Sequence, residues 1–198
     1  TGSVTAETIA VENGNLTAGT DISSPTIKAQ NVTAASGSIT ATSIDVENGS
    51  LSAGTNISST TIKAQNVTAD TGSIKAEAID AENGTVSAGT DITSTTIKAQ
   101  NVTAEKGSIT ADEIDAEEGE LTAGADIASD SIKAKGVTAT NVSSKSLAVT
   151  KKLRVRSLLS IILDGLLSIT GESGDPARAE IGVLDASKAF RFYVDPAY

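Results

Sequence analysis

Three acidic turns carry the side chains best suited to chemistry: Asp45-Val-Glu47-Asn48-Gly49, Asp80-Ala-Glu82-Asn83-Gly84 and Asp115-Ala-Glu117-Glu118-Gly119. Clustered carboxylate and amide oxygens suit a hard cation such as calcium. The matching turn nearest the N-terminus has Ala10 where the Asp should stand, so the ligand set is incomplete. The turns therefore read as solvated elements whose charges discourage lateral association, and no metal site is expected. A glycosidase could also use two such carboxylates. Residues 1–150 contain no aromatic on which a sugar could stack, which argues against that chemistry.

The chain has no His, Cys, Met or Trp. Histidine acid–base catalysis, disulfides and the usual zinc sites are excluded with them. The expectation is no catalytic residue, no cofactor and no enzymatic activity. A net charge of −10 opposes binding to a nucleic-acid backbone, which needs a basic face. No apolar run is long enough to span a bilayer, so no membrane insertion is expected. Lys28, Lys63, Lys98 and Lys133 occupy equivalent outward positions and read as balancing the acids around them. Eight of the nine asparagines begin an Asn-x-Ser/Thr sequon, a weak signal in a chain so rich in Ser and Thr.

These residues recur because the chain repeats. IKAQNVTA occurs at Ile27–Ala34, Ile62–Ala69 and Ile97–Ala104, with a looser copy, IKAKGVTA, at Ile132–Ala139; the starts are 35 residues apart. Such regularity predicts a stack in which each unit buries its apolar face against its neighbours. Within one repeat, aliphatics fall at Ile27, Val32, Ile39, Ile44, Leu51 and Ile57, separated by 5, 7, 5, 7 and 6 residues. Most are followed two residues later by Ala or Ser. In an extended chain residues i and i+2 share a face, so each unit reads as a very short strand with its aliphatic and small residue inward. Gly, Asn, Asp, Ser and Thr supply the turns between them. Six strands per repeat could form one wide coil or two narrow ones. With no aromatic to fill a wide lumen, close packing selects triangular coils of about 17–18 residues. The fold class expected is all-β: a parallel β-helix, or β-solenoid, with a 35-residue double-coil repeat and a small C-terminal hairpin module. The chain opens in phase with the repeat, since Thr1–Ala6 aligns with Ser36–Ala41. We expect residue 1 to be a processing boundary inside a longer rod or a stacking face.

Composition changes near residue 150. Residues 1–150 hold 19 acids and 8 lysines, whereas residues 151–198 hold 6 acids and 7 bases. All four arginines and all four aromatics lie in the second region. Two domains are therefore expected: a repetitive shaft over 1–150, and a C-terminal hairpin cap or tip over 151–198 that oligomerises the chain. Leu158-Leu-Ser-Ile161 and Leu166-Leu-Ser-Ile169 flank Asp164-Gly165, a dipeptide favoured in tight hairpin turns. Such a hairpin would be apolar on both faces, which makes Leu158, Leu159, Ile161 and Leu163 the candidate oligomer interface. A second pair, Ala179–Asp185 and Ala189–Asp195, places Phe190, Phe192 and Val194 on one face and Arg191 and Tyr193 on the other. Arg191, Phe192 and Tyr193 form a candidate recognition cluster, although a packed hairpin or trimer seam is the favoured reading.

The stretch Leu147-Ala-Val-Thr-Lys-Lys-Leu-Arg-Val155, followed by Arg178-Ala-Glu-Ile-Gly-Val183, resembles the ends of phage tail-fibre proteins. That resemblance implies a repetitive β shaft, a compact tip and a trimer. The repeats are also similar in texture to bactofilins, whose triangular β-helix polymerises end to end. Gly14–Ser23 (GNLTAGTDIS) resembles filamentous haemagglutinin-type adhesins. The function expected is a structural fibre segment that spaces and presents a binding or assembly module. The alternative is a self-polymerising filament subunit. Expected partners are further copies of the chain, a trimer first, and a cell-surface receptor or neighbouring fibre protein. The expected location is extracellular or on a virion.

Overall fold

The computed structural model describes residues 2–155 and 161–169. They form a parallel β-solenoid and contain no helix. Six two-residue strands line one face of the early coils: β1 (Val4–Thr5), β3 (Ile22–Ser23), β5 (Ile39–Thr40), β7 (Ile57–Ser58), β9 (Ile74–Lys75) and β11 (Ile92–Thr93). Longer strands alternate with them: β2 (Thr8–Ala18), β4 (Thr26–Ala34), β6 (Ser43–Ala53), β8 (Thr61–Ala69), β10 (Ala78–Ala88) and β12 (Thr96–Ala104). Further along, the strands lengthen and cover more of each coil in β13 (Ile109–Ala123), β14 (Asp126–Ala139) and β15 (Asn141–Val155), and β16 (Ile161–Ile169) follows them.

The ladder register gives the coil length directly. Ile9, Ile27, Ile44, Ile62, Ile79, Ile97, Ile114 and Ile132 pair in succession, so one coil consumes alternately 18 and 17 residues. This is the coil expected from the spacing of aliphatics. All six aliphatics of the repeat are buried, as are Ala29, Ala34, Val46 and Ala53 two residues further along their strands. The core is thus a set of stacked Ile, Val, Leu and Ala rows with no aromatic among them.

The structure joins two of the three faces that the sequence suggests as separate strands. Ile27 and Val32 both lie on β4, and Ile44 and Leu51 both lie on β6. Between each such pair the ladder shifts register, at Lys28/Val32 against Asp45/Leu51, for example. The corner is therefore a bulge that turns the strand and adds residues without ending the pairing. Narrow coils take five residues from Ile to Val there, as in Ile27 to Val32. Wide coils take seven, as in Ile44 to Leu51, and the extra residues are the acidic Glu-Asn-Gly turns.

Another corner is closed by serine. Ser24, Ser59, Ser94, Ser129 and Ser144 are buried. The Ser59 hydroxyl lies 2.9 Å from the Thr61 carbonyl oxygen and 3.1 Å from that of Thr42, so this buried donor is satisfied. The narrow coils beginning at Ile27 and Ile62 carry Ala at the same place, Ala41 and Ala76, whereas the one beginning at Ile132 carries Ser144.

The hairpin turn expected at Asp164-Gly165 does not form among the described residues, and Leu158–Ser160 of its first strand lie outside them. β16 runs from Ile161 through Asp164-Gly165 to Ile169 as one strand and pairs in parallel with β15, Val142 to Ile161 and Val149 to Ile169. The register shifts between Ser144 and Ser146, where Asp164-Gly165 supplies one more coil corner. The physical reason is that the parallel edge of β15 already offers a complete row of donors and acceptors. An apolar strand gains more by joining it than by folding back on itself. β15 also runs across residue 150, so the ladder does not stop where the composition changes.

Candidate functional site

The outward position after each of the paired isoleucines from Ile27 to Ile132 forms a single column. Lys28 pairs in register with Asp45, Asp45 with Lys63, Lys63 with Asp80, Asp80 with Lys98, Lys98 with Asp115 and Asp115 with Lys133. The lysines and the acidic turns, two separate features of the sequence, are here one ladder of alternating sign. The lysines are exposed and the aspartates half-buried. Adjacent strands lie about 4.8 Å apart, so unlike charges face each other at every rung and like charges stand roughly 10 Å apart. Each aspartate therefore has a cation on either side, the opposite of what a calcium site needs. Two carboxylates of this column are also too far apart, and too well screened by lysine, to act as a retaining glycosidase pair.

The next face presents a row of hydroxyls. Thr33, Ser52, Thr68, Ser87, Thr103 and Thr122 stack in register, one per coil, and are half-buried. The row continues at both ends to Thr17 and Thr138. This row was legible in principle, because each of its members is the middle residue of a triplet that opens on Val or Leu and closes on Ala. The row itself holds no acid, no base and no nucleophile activated by one, although Glu120 stands exposed two residues from Thr122.

At the end of the stack, Thr110, Ser129, Asp130, Ser144 and Lys145 border a shallow open groove. Lys145 Nζ donates to Asp130 Oδ2 at 2.7 Å, with both side chains mostly exposed. Such a pair contributes at most about 1 kcal/mol. Among the described residues no group of three or more acidic side chains is placed to hold a metal.

Of the candidate interface residues, Ile161 and Leu163 lie on β16, in register with Val142 and Ser144. Leu158 and Leu159 lie outside the described residues, as does the whole cluster of Phe190, Arg191, Phe192 and Tyr193. What the described residues bring together is a repeating surface of a charged column beside a hydroxyl row. No family model, curated protein or solved structure matches the chain.

Proposed function

We propose that this chain is a structural fibre segment, a shaft that spaces and presents a binding or assembly module carried by residues 151–198. The observation that carries this reading is the parallel ladder that takes in every described strand from Val4–Thr5 to Ile161–Ile169. Every coil is spent on stacking, and the side chains facing outward repeat coil after coil. A surface that repeats has length and periodicity to offer, and a spacer uses both. The plan is that of phage tail-fibre-like proteins, in which a β shaft ends in a trimeric tip.

A second reading is a self-polymerising filament subunit of the bactofilin-like or secreted-fibre kind. It is favoured by the geometry of the coils themselves, since the edge of one parallel coil is shaped to receive another. Sedimentation equilibrium of the full chain separates the two. A discrete trimer supports the fibre segment, and an open-ended, concentration-dependent series supports the filament. A monomer at all concentrations overturns both.

A further inference from the structure

We propose that from Ile27 to Ile132 narrow and wide coils are mutually recognising surfaces, so that a coil there accepts only a neighbour of the other kind. The partner that fits the edge of a wide coil is then a narrow β-solenoid coil, and the pair is the smallest unit by which the rod can be lengthened or shortened.

Three independent contacts carry this. At the bulged corner, a narrow coil caps the wide coil that follows. Asn31 Oδ1 accepts from Ser50 N at 2.9 Å, Asn66 Oδ1 from Thr85 N at 3.2 Å and Asn101 Oδ1 from Glu120 N at 2.9 Å. At the same corner the wide coil's Gly49, Gly84 and Gly119 lie against the carbonyls of Gln30, Gln65 and Gln100, with no room for a Cβ.

The next corner reverses the roles. There a wide coil caps the narrow coil that follows: Asp21 Oδ1 accepts from Ser38 N at 2.9 Å, Asn56 Oδ1 from Ser73 N at 2.9 Å and Asp91 Oδ1 from Ser108 N at 2.8 Å. The narrow coil's Gly37, Gly72 and Gly107 are pressed on the carbonyls of Thr20, Thr55 and Thr90. The third contact is the charged column, in which Lys belongs to the narrow coils and Asp to the wide coils from Ile44 onward, the first wide coil carrying Ala10. Wide on wide would set Asp against Asp and leave the backbone N–H of the following coil's bulged corner without its Asn, since Ser50 or Thr85 stands where the narrow coil has Asn. Narrow on narrow would set Lys against Lys. Like charges directly opposite one another across a ladder are destabilising.

Deletions within the full chain test this, because the junctions keep all faces in order. Removing residues 62–78 takes out one narrow coil, removing 79–96 takes out one wide coil, and removing 62–96 takes out one of each. In a stack whose stability depends on nearest neighbours, the chain that loses more coils should be the weaker. The proposal expects the reverse: the two-coil deletion melts about 5–10 °C above either one-coil deletion. It also expects the two-coil variant to keep the parent's far-ultraviolet dichroism per residue. If either one-coil variant melts at or above the two-coil variant, the proposal is overturned. If the two-coil variant fails to fold as well, shortening alone explains the loss, and the proposal is equally overturned.

Discussion

Lys63 on β8 stands in ladder register with Asp45 on β6, and on its other side with Asp80 on β10. One lysine thus serves two aspartates that are 35 residues apart in the chain. Because the column alternates throughout, its net charge is small even though the protein carries −10. The consequence is local. Each rung adds a small attraction across the ladder, and a single sign change converts two attractions into two repulsions.

Lys63→Glu should therefore destabilise the solenoid by about 0.5–2 kcal/mol, two cross-strand like-charge contacts at a fraction of a kcal/mol to 1 kcal/mol each. Lys63→Gln should cost less than half as much. Raising the salt from 0.02 to 0.5 M should narrow the gap between the two variants, because exposed charges are screened over a Debye length. Urea titrations at both salt concentrations measure it. Equal stability of Lys63→Glu and Lys63→Gln at low salt would show that the column is energetically silent.

Much of this architecture can be read from residue spacing. The 5-7-5-7-6 gaps between aliphatics place Ile27, Val32, Ile39, Ile44, Leu51 and Ile57 inward, and all six are buried. Coil length follows from the same gaps. The charged column was not legible at the level of one coil: Lys28 and Asp45 look unrelated until register puts them at the same position in successive turns. The Asp164-Gly165 dipeptide misled for a related reason. Its local preference is for a hairpin, but a preformed parallel edge on β15 supplies a stronger, non-local alternative. Local turn propensity is a fraction of the free energy of a full ladder, so the ladder decides.

Ile62 is 2% exposed in the middle of the stack. Ile62→Asp would place a carboxylate among Ile, Val and Ala side chains with nothing to pair it. The cost expected is more than about 4 kcal/mol, in the range reserved for unpaired buried charge. Thermal melting and limited proteolysis should show the coils on either side opening first. Melting indistinguishable from the parent would mean that Ile62 does not face the core.

Two glycines at equivalent corners should respond differently to the same substitution. A Cβ on Gly84 would overlap the backbone carbonyl of Gln65, which lies in the bulge between the paired Ala64 and Asn66 and, being backbone, cannot swing aside as a side chain can. On Gly14 it would meet only Val11 Cγ1, at 2.9 Å, and that side chain can rotate away. Gly84→Ala is expected to cost about 1–3 kcal/mol, the usual penalty for overpacking, and Gly14→Ala well under half of that. Chemical denaturation of the two variants side by side gives the comparison. A Gly14→Ala penalty as large as that of Gly84→Ala would show that the corner tolerates the methyl in both places or in neither.

Asn66 acts on the chain from one coil away. Its Oδ1 lies 3.2 Å from both Thr85 N and Thr85 Oγ1, so a single side-chain oxygen receives the backbone of the wide corner. Only an acceptor is needed there. Asn66→Asp keeps one and should remain within about 0.5 kcal/mol of the parent, whereas Asn66→Ala removes it and should cost about 0.5–1.5 kcal/mol, the net worth of one hydrogen bond. The amide of Thr85 is the direct reporter. Its hydrogen exchange should accelerate in Asn66→Ala and stay near the parent rate in Asn66→Asp, while the amide of Ser50, capped by Asn31, is unaffected in both. Acceleration in both variants alike would mean that the Asn66 side chain does not hold the corner through its oxygen.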